Sequence, residues 1–232
     1  MTRAAVVIGA SGGIGAALED ALVEEGEFAK VWGLARSRSG EAHIDITDEA
    51  SIEAAAARVA KGPPLHRVIV ATGLLHDGER GPEKAMKDLD GDWLARNFAV
   101  NAIGPALVAK HFVPLLAQGS AAVFAALSAR VGSISDNRLG GWHGYRASKA
   151  ALNMLVKGVA IEATRTNKRS IVVALHPGTV DTPLSKPFQG NVAPGKLFDP
   201  GRAALQLLDV IDGLKPVDTC KVIAWDGEEI AP

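Results

Sequence analysis

The chain has 232 residues, 47% hydrophobic and 22% charged, enough for one large α/β domain with a sizeable core and no linker cutting it in two. Lys and Arg number 25 against 26 Asp and Glu, which leaves no electrostatic footprint for nucleic acid or an anionic membrane surface. A single cysteine, Cys220, excludes an intrachain disulfide and fits a reducing compartment.

In chain order, Ala4–Ile8 is a continuous apolar run of the kind a doubly buried parallel strand carries. It follows Arg3 as a signal core would, but breaks after five residues into Gly9-Ala-Ser-Gly-Gly-Ile-Gly15, with no cleavage site after a long apolar core. A helical pattern runs from Ala16 to about Glu25 and closes at Gly26. Strand, glycine turn and helix is the context in which glycines serve phosphate: they let the backbone approach a pyrophosphate, and the helix N-terminus offers free N–H groups. Val31–Leu34 is the second strand. The acid that would take a ribose 2′-hydroxyl and select NAD is absent from its end, where Arg36 and Ser37 stand, a guanidinium and a hydroxyl suited to a 2′-phosphate. NADP is therefore expected over NAD; the alternative is an Arg36/Arg38 pair in a solvated turn.

His43-Ile-Asp45-Ile-Thr-Asp48 reads as a short strand leading to an N-cap and a helix over 49–60. Val68–Ala71 is the next strand, and 74–90 a polar loop with a helical turn. A long helix over 92–116 carries Asn97 and Asn101. The uncharged stretch 112–129 has the length of a short membrane span, but Pro114, Gln118, Gly119, Ser120 and Ser128 make it a helix end, a turn and the strand Ala121–Leu127. A soluble, cytoplasmic protein is expected. A Gly/Ser-rich loop over 129–144 leads to a helix from Tyr145 to about Thr164, and Ser170–Leu175 is a strand ended by His176-Pro-Gly178. Residues 179–199, with Pro183, Pro187 and Pro194, are too long for a passive turn and suit a substrate lid. A helix near 202–211 and a strand at 221–225, with Cys220 packed in it, complete a doubly wound Rossmann-type α/β fold with a seven-stranded, mostly parallel sheet. Gly9, Arg36, Gly73, Ser128 and Pro177 all fall at strand carboxyl ends, where such sheets bind ligands.

Tyr145-Arg-Ala-Ser-Lys149 places a phenol and an ammonium four apart on one helix face. A fixed positive charge favours the phenolate and so lowers the phenol pKa, which poises it for proton transfer. Ser128 ends the preceding strand and reaches the same point, where its hydroxyl would hold a carbonyl oxygen. It lies in no G-x-S-x-G elbow, so no activated serine nucleophile is expected. His43, His66, His76, His111, His143 and His176 show no metal-ligand spacing, and no metal is expected. Trp142 and His143 precede Tyr145 and are candidates for the substrate wall.

Gly9-x-x-x-Gly13-x-Gly15, Asn101, Ser128, Tyr145-x-x-x-Lys149 and Pro177-Gly178 together resemble the short-chain dehydrogenase/reductase family over the whole chain, and the Leu-Leu-His-Asp-Gly stretch at 74–78 is similar to its Sniffer and C-factor carbonyl reductases. The resemblance implies a catalytic tetrad of Asn101, Ser128, Tyr145 and Lys149, in which the tyrosine is the acid/base, the serine orients the carbonyl, the lysine lowers the tyrosine pKa and bonds the nicotinamide ribose, and the asparagine holds a water linking the lysine to solvent. It implies cofactor contacts from Gly9, Ser11, Gly13, Ile14, Gly15, Arg36, Ser37, Asp45, Ile46, Ala71, Gly73, Tyr145, Lys149, Pro177, Gly178, Val180 and Thr182, with Asp45 on the adenine amino group. It implies a dimer or tetramer as well. Two departures stand out: Ile8 replaces a common threonine, and Val70-Ala71-Thr72-Gly73 replaces the family's Asn-Asn-Ala-Gly. The expected function is an NADP(H)-dependent oxidoreductase acting on a small-molecule carbonyl or secondary alcohol. The same reaction with NAD(H), and an NADP-binding regulatory or redox-sensing protein with vestigial activity, remain as alternatives. A Rossmann-like methyltransferase would need an acid where Arg36 stands.

Overall fold

A computed structural model describes residues 2–232, apart from the side chain of Asn191. Six strands form one sheet: β1 (Ala4–Ile8), β2 (Lys30–Leu34), β3 (Leu65–Val70), β4 (Ala122–Leu127), β5 (Ser170–His176) and β8 (Val222–Ala224), in the order β2-β1-β3-β4-β5-β8, every neighbour parallel. Strand side chains alternate between faces, and two cores result. Val6, Ile8, Val68, Val70, Phe124, Ala126 and Val172 face one helical layer, built by α2 (Glu49–Val59), α4 (Gly104–Phe112) and α5 (His143–Thr166). Val7, Ile69, Val123, Ala125, Val173 and Leu175 face the other, built by α1 (Gly13–Glu25) and α6 (Pro200–Gly213) through Leu18, Leu22, Leu207, Leu208 and Ile211. Each fully buried side chain of this size contributes about 1.5–3 kcal/mol, so both faces hold the sheet.

The chain leaves β1 toward β2 on one side and returns to β3 on the other. The crevice at that switch point, above the carboxyl ends, is where an open parallel sheet binds its ligand.

The short strand expected within residues 43–48, which would have made the sheet seven-stranded, does not form. A tight turn at Gly40–Ala42 leaves one bridge, Ala35 to His43. Beyond it the Asp45 N–H donates to Ser51 Oγ at 2.9 Å and the Asp45 carboxylate accepts from Thr47, so the local polar groups bind one another instead of extending along β2. Asp48 caps α2 as expected, accepting the Ala50 N–H at 3.0 Å.

The long helix expected over 92–116 is a helical run of three kinds: α3 (Gly91–Phe98), a π-helical segment over Ala99–Ile103, and α4, with a 3-10 turn after it. By length and hydropathy alone it would cross a membrane, but Val108, Ala109 and Phe112 pack under the sheet. Cys220 is not in a strand. It sits half-buried at φ +76° in the turn before β8. Two short strands, β6 (Thr179–Val180) and β7 (Leu197–Phe198), pair with each other, making 181–196 an excursion from one base.

Candidate active site

The glycine-rich turn hangs from the end of β2: Gly9 N–H and Ala10 N–H both donate to Leu34 O, at 2.8 and 3.1 Å. Gly9 has φ +90°, and a Cβ there would stand 3.0 Å from the Ala71 carbonyl. At Gly15 a Cβ would collide with Gly9 O, so this glycine lets α1 approach the turn. The start of α1 has no side-chain cap and no acid in its first turn, leaving N–H groups and a positive dipole end free for an anion.

A cavity of about 330 Å³ opens over this turn, lined by Gly9, Ser11, Arg36, Ser37, Asp45, Ile46, Ala71 and Gly73 of the expected cofactor residues. Gly12, Thr47, Thr72, Leu74, Arg96 and Val100 line it too and were missed by sequence reasoning; the Thr72-Gly73 step at the end of β3 was the signal available. Gly13, Ile14 and Gly15 lie beside the cavity without lining it. The donors fit a dinucleotide: a glycine cradle that a Cβ would fill, the Thr72 hydroxyl buried without a partner, and Arg36 and Ser37 exposed at the β2 end.

The two arginines of that turn have different surroundings. Arg38 forms a two-pronged pair with Glu19 on α1, at 2.9 and 2.6 Å, and donates to Gly33 O at 2.7 Å and Ala10 O at 3.3 Å. Gly33 leaves the room for this pair, because a Cβ there would collide with both side chains. Arg36 forms no such pair and faces the cavity. Across it, Asp45 lies below its ordinary pKa: burial raises it, but the bonds from Thr47 and the nearby Arg36 charge outweigh that.

The four residues expected as a tetrad sit on neighbouring elements: Asn101 bonds Leu74 after β3 and Ser148 of α5, Ser128 follows β4, and Tyr145 and Lys149 are on α5 with Lys149 bonded to the last residue of β4. Asn101 is fully buried in the π-helical segment, where Oδ1 accepts Leu74 N–H at 2.7 Å and Nδ2 donates to Leu74 O at 2.8 Å and Ser148 Oγ at 3.1 Å. An inserted residue in a helix frees backbone groups and commonly marks a functional position. Ser128 follows the last residue of β4 and donates from Oγ to Asn153 Oδ1 at 2.7 Å. Asn153 was not anticipated, though Tyr145, Lys149 and Asn153 follow the four-residue spacing of one helix face.

Tyr145 and Lys149 do share that face, with Lys149 Nζ 5.8 Å from the ring centroid and donating to Leu127 O at 2.8 Å. The expected lowering of the phenol pKa does not hold. Burial pushes Tyr145 up to about 12 and Lys149 down to about 8. The ammonium lies over the ring and is bound to a carbonyl, so desolvation dominates both groups.

Pro177, Gly178, Val180 and Thr182, also expected to contact the cofactor, fall outside the cavity. Gly178, at φ +76°, lets Phe198 and Trp225 approach, and Val180 packs with Phe198 and Ala203. Thr182 closes on Gly13, where a Cβ would stand 2.6 Å from its methyl, and Leu184 lies near Gly73. The 181–196 excursion thus lies over the inner half of the crevice. His76 bonds Pro183 O at 3.0 Å, and Phe188 meets His76 and Trp142 edge-on at 5.8 and 5.0 Å. Trp142 meets Tyr145 at 6.3 Å. His176 is half-buried, with Nδ1 buried and unpartnered, and desolvation holds it down to about 4.

Residues 9–199 match the family model described as Enoyl-(Acyl carrier protein) reductase. A curated relative, the 1-hydroxy-2-glutathionyl-2-methyl-3-butene dehydrogenase of Rhodococcus sp. (strain AD45), is 34% identical over 230 residues, covering 96% of each chain. The NADPH-bound carbonyl reductase from chicken fatty liver superposes with a TM-score of 0.81 at 24% identity, over 100% of this chain and 94% of that one. Carbonyl reductase Sniffer of D. melanogaster does so with a TM-score of 0.78 at 20% identity, over 100% of both. At these identities the two structures speak for the fold.

Proposed function

The chain belongs to the short-chain dehydrogenase/reductase family and is an oxidoreductase of that kind, and from that premise we propose that it moves a hydride between NADP(H) and a small carbonyl compound or alcohol, with Tyr145 as acid/base. The observation that carries the reading is the convergence of Tyr145, Ser128, Lys149 and Asn101 at the strand ends, beside a cavity whose outer wall presents Arg36 and Ser37.

When bound, the nicotinamide supplies or accepts the hydride. Gly9, Ser11, Gly12 and the start of α1 would hold the pyrophosphate, Asp45 and Thr47 the adenine side, and Arg36 with Ser37 the 2′-phosphate. The NADPH carried by the chicken carbonyl reductase supports that cofactor choice. At neutral pH a phenol with a pKa of about 12 is protonated and an amine near 8 is mostly charged. Tyr145 then acts as the proton donor in the reducing direction, and the Lys149 ammonium over its ring steadies the phenolate left behind. Ser128 holds the substrate oxygen by turning its hydroxyl proton from Asn153 Oδ1, which keeps it at the strand end until substrate arrives, to that oxygen. Asn101 fixes Leu74 and Ser148, keeping the β3 loop against the Tyr145 helix. Segment 179–199 serves as the lid, with Phe188 and Trp142 forming the wall that the substrate meets. The Rhodococcus relative is named for an alcohol, so oxidation belongs within the proposal.

The test is consumption of NADPH with a panel of aldehydes and ketones, by wild type and by Tyr145→Phe. General acid catalysis is worth about 100- to 10,000-fold, so the variant should lose at least that order of turnover while cofactor binding persists. Turnover in Tyr145→Phe within a few-fold of wild type would reject the mechanism.

A further inference from the structure

Glu83 belongs to the polar loop over 74–90, yet it is only 4% exposed and is the one buried acid among the described residues. Its Oε2 accepts the N–H of Gly144, 61 residues later, at 3.1 Å. Its main-chain carbonyl accepts the N–H of Trp142 at 2.5 Å. Oε1 has no partner and presses on Gly144, where a Cβ would stand 2.9 Å away. Burying a carboxylate with an unpaired oxygen is costly, so a compensating interaction is required. The positive end of a 24-residue helix supplies one.

That helix is α5, and its own sequence does not cap it. The N-cap residue is Trp142, at φ 51° and ψ 40°, with no side-chain bond to the first turn. Gly140 and Gly141, at φ +64° and +63°, bring the chain into the left-handed region, where a tryptophan is strained. Glu83 therefore holds this start from outside at two points, one on each side of His143. Tyr145 follows one residue after Gly144, and the Trp142 ring packs on both Tyr145 and Phe188.

We propose that Glu83 is a positioning residue for the proton donor: it caps the helix that carries Tyr145 and locks Trp142 as the pocket wall, and so sets where the phenol hydroxyl stands. This rests on reading Tyr145 as the acid/base. No charge effect of Glu83 contributes to the phenol's raised pKa, whose cause is burial alone, so the cap and not the charge is what counts. Glu83→Gln keeps an acceptor for Gly144, Glu83→Ala removes it, and Glu83→Asp keeps the charge but withdraws it by one methylene in a variant less prone to unfold.

Tyr145 is the only tyrosine in the chain, so its phenol can be titrated by ultraviolet difference absorbance and its ring followed as a single labelled NMR signal, independently of turnover. In Glu83→Ala and Glu83→Asp the titration should move down from about 12 toward the ordinary value as the helix start frays and hydrates, and the ring signal should shift. Glu83→Gln should titrate as wild type. Turnover at saturating substrate should fall by about tenfold or more in Ala and Asp and recover in Gln, while NADPH affinity stays within about twofold, since Glu83 does not line the cofactor cavity. A wild-type phenol titration in both Ala and Asp would overturn the proposal, as would a Gln variant as impaired as Ala. If the phenol responds as expected but even wild type reduces no carbonyl with NADPH, the acid/base reading of Tyr145 falls, and with it the proton-donor part of the proposal, while Glu83 remains the cap that places the Tyr145 ring.

Discussion

Replacing Arg36 with alanine tests the cofactor assignment without needing a substrate. Arg36 is exposed, faces the dinucleotide cavity and has no carboxylate partner, while Arg38 next to it is tied to Glu19, Gly33 and Ala10. A charge-assisted hydrogen bond is worth about 1.5–3 kcal/mol, and the exposure of Arg36 argues for the lower part of that range. At about 1.4 kcal/mol per tenfold, NADPH should bind roughly ten- to thirtyfold more weakly. Asp45, across the cavity and held against burial below its ordinary pKa chiefly by its bonds from Thr47, would then face the phosphate without Arg36 to offset it. NADH carries no 2′-phosphate and should lose no more than about twofold. Nicotinamide fluorescence titration of wild type and variant with both cofactors measures this directly, and the difference should shrink as salt rises, the Debye length being about 8 Å at physiological ionic strength. Equal weakening of NADPH and NADH, or none in either, would refute the assignment of Arg36 to the phosphate.

Gly33→Ala should act on the same pocket indirectly, because the new methyl displaces the Arg38–Glu19 pair; weaker NADPH binding and a stability loss of about 1–3 kcal/mol by denaturant titration are expected. Gly15→Ala puts a methyl into the Gly9 carbonyl, where two backbone segments must separate, so a loss of at least that order and of binding for both cofactors should appear in thermal melts and titrations. The buried pair gives the cofactor-free protein two alkaline windows. The depressed Lys149 means that the unfolded chain binds more protons between about 8 and 10.5, so stability rises with pH there. The raised Tyr145 means that the folded chain keeps its proton between 10 and about 12, so stability falls across that range. Chemical denaturation against pH should show the fall in wild type and not in Tyr145→Phe.

Much of this protein is local, and that part was legible in the sequence. Ala4–Ile8 is an unbroken apolar run because both faces of its strand are buried, and Gly26 ends α1 because the chain turns left-handed there, at φ 67°. That Ser128, Tyr145 and Lys149 lie near one another was legible because a strand end and the i,i+4 face of the following helix bring them together from short-range pattern. What the sequence left undetermined depends on contacts between distant segments. The strand expected within residues 43–48 did not form because the polar groups of Asp45 bond Ser51 and Thr47 instead of β2. Arg36 and Arg38 look alike in the chain, and only the packing of α1 against β2 places Glu19 beside one of them. A Tyr/Lys pair in sequence suggests a lowered phenol pKa, but depth of burial, a property of the whole fold, drives it the other way. Glu83 reads as one more loop acid until the fold brings it to a helix end 61 residues on. Periodicity and turn chemistry select elements, whereas the partners and the dielectric of each charged group belong to the assembled fold.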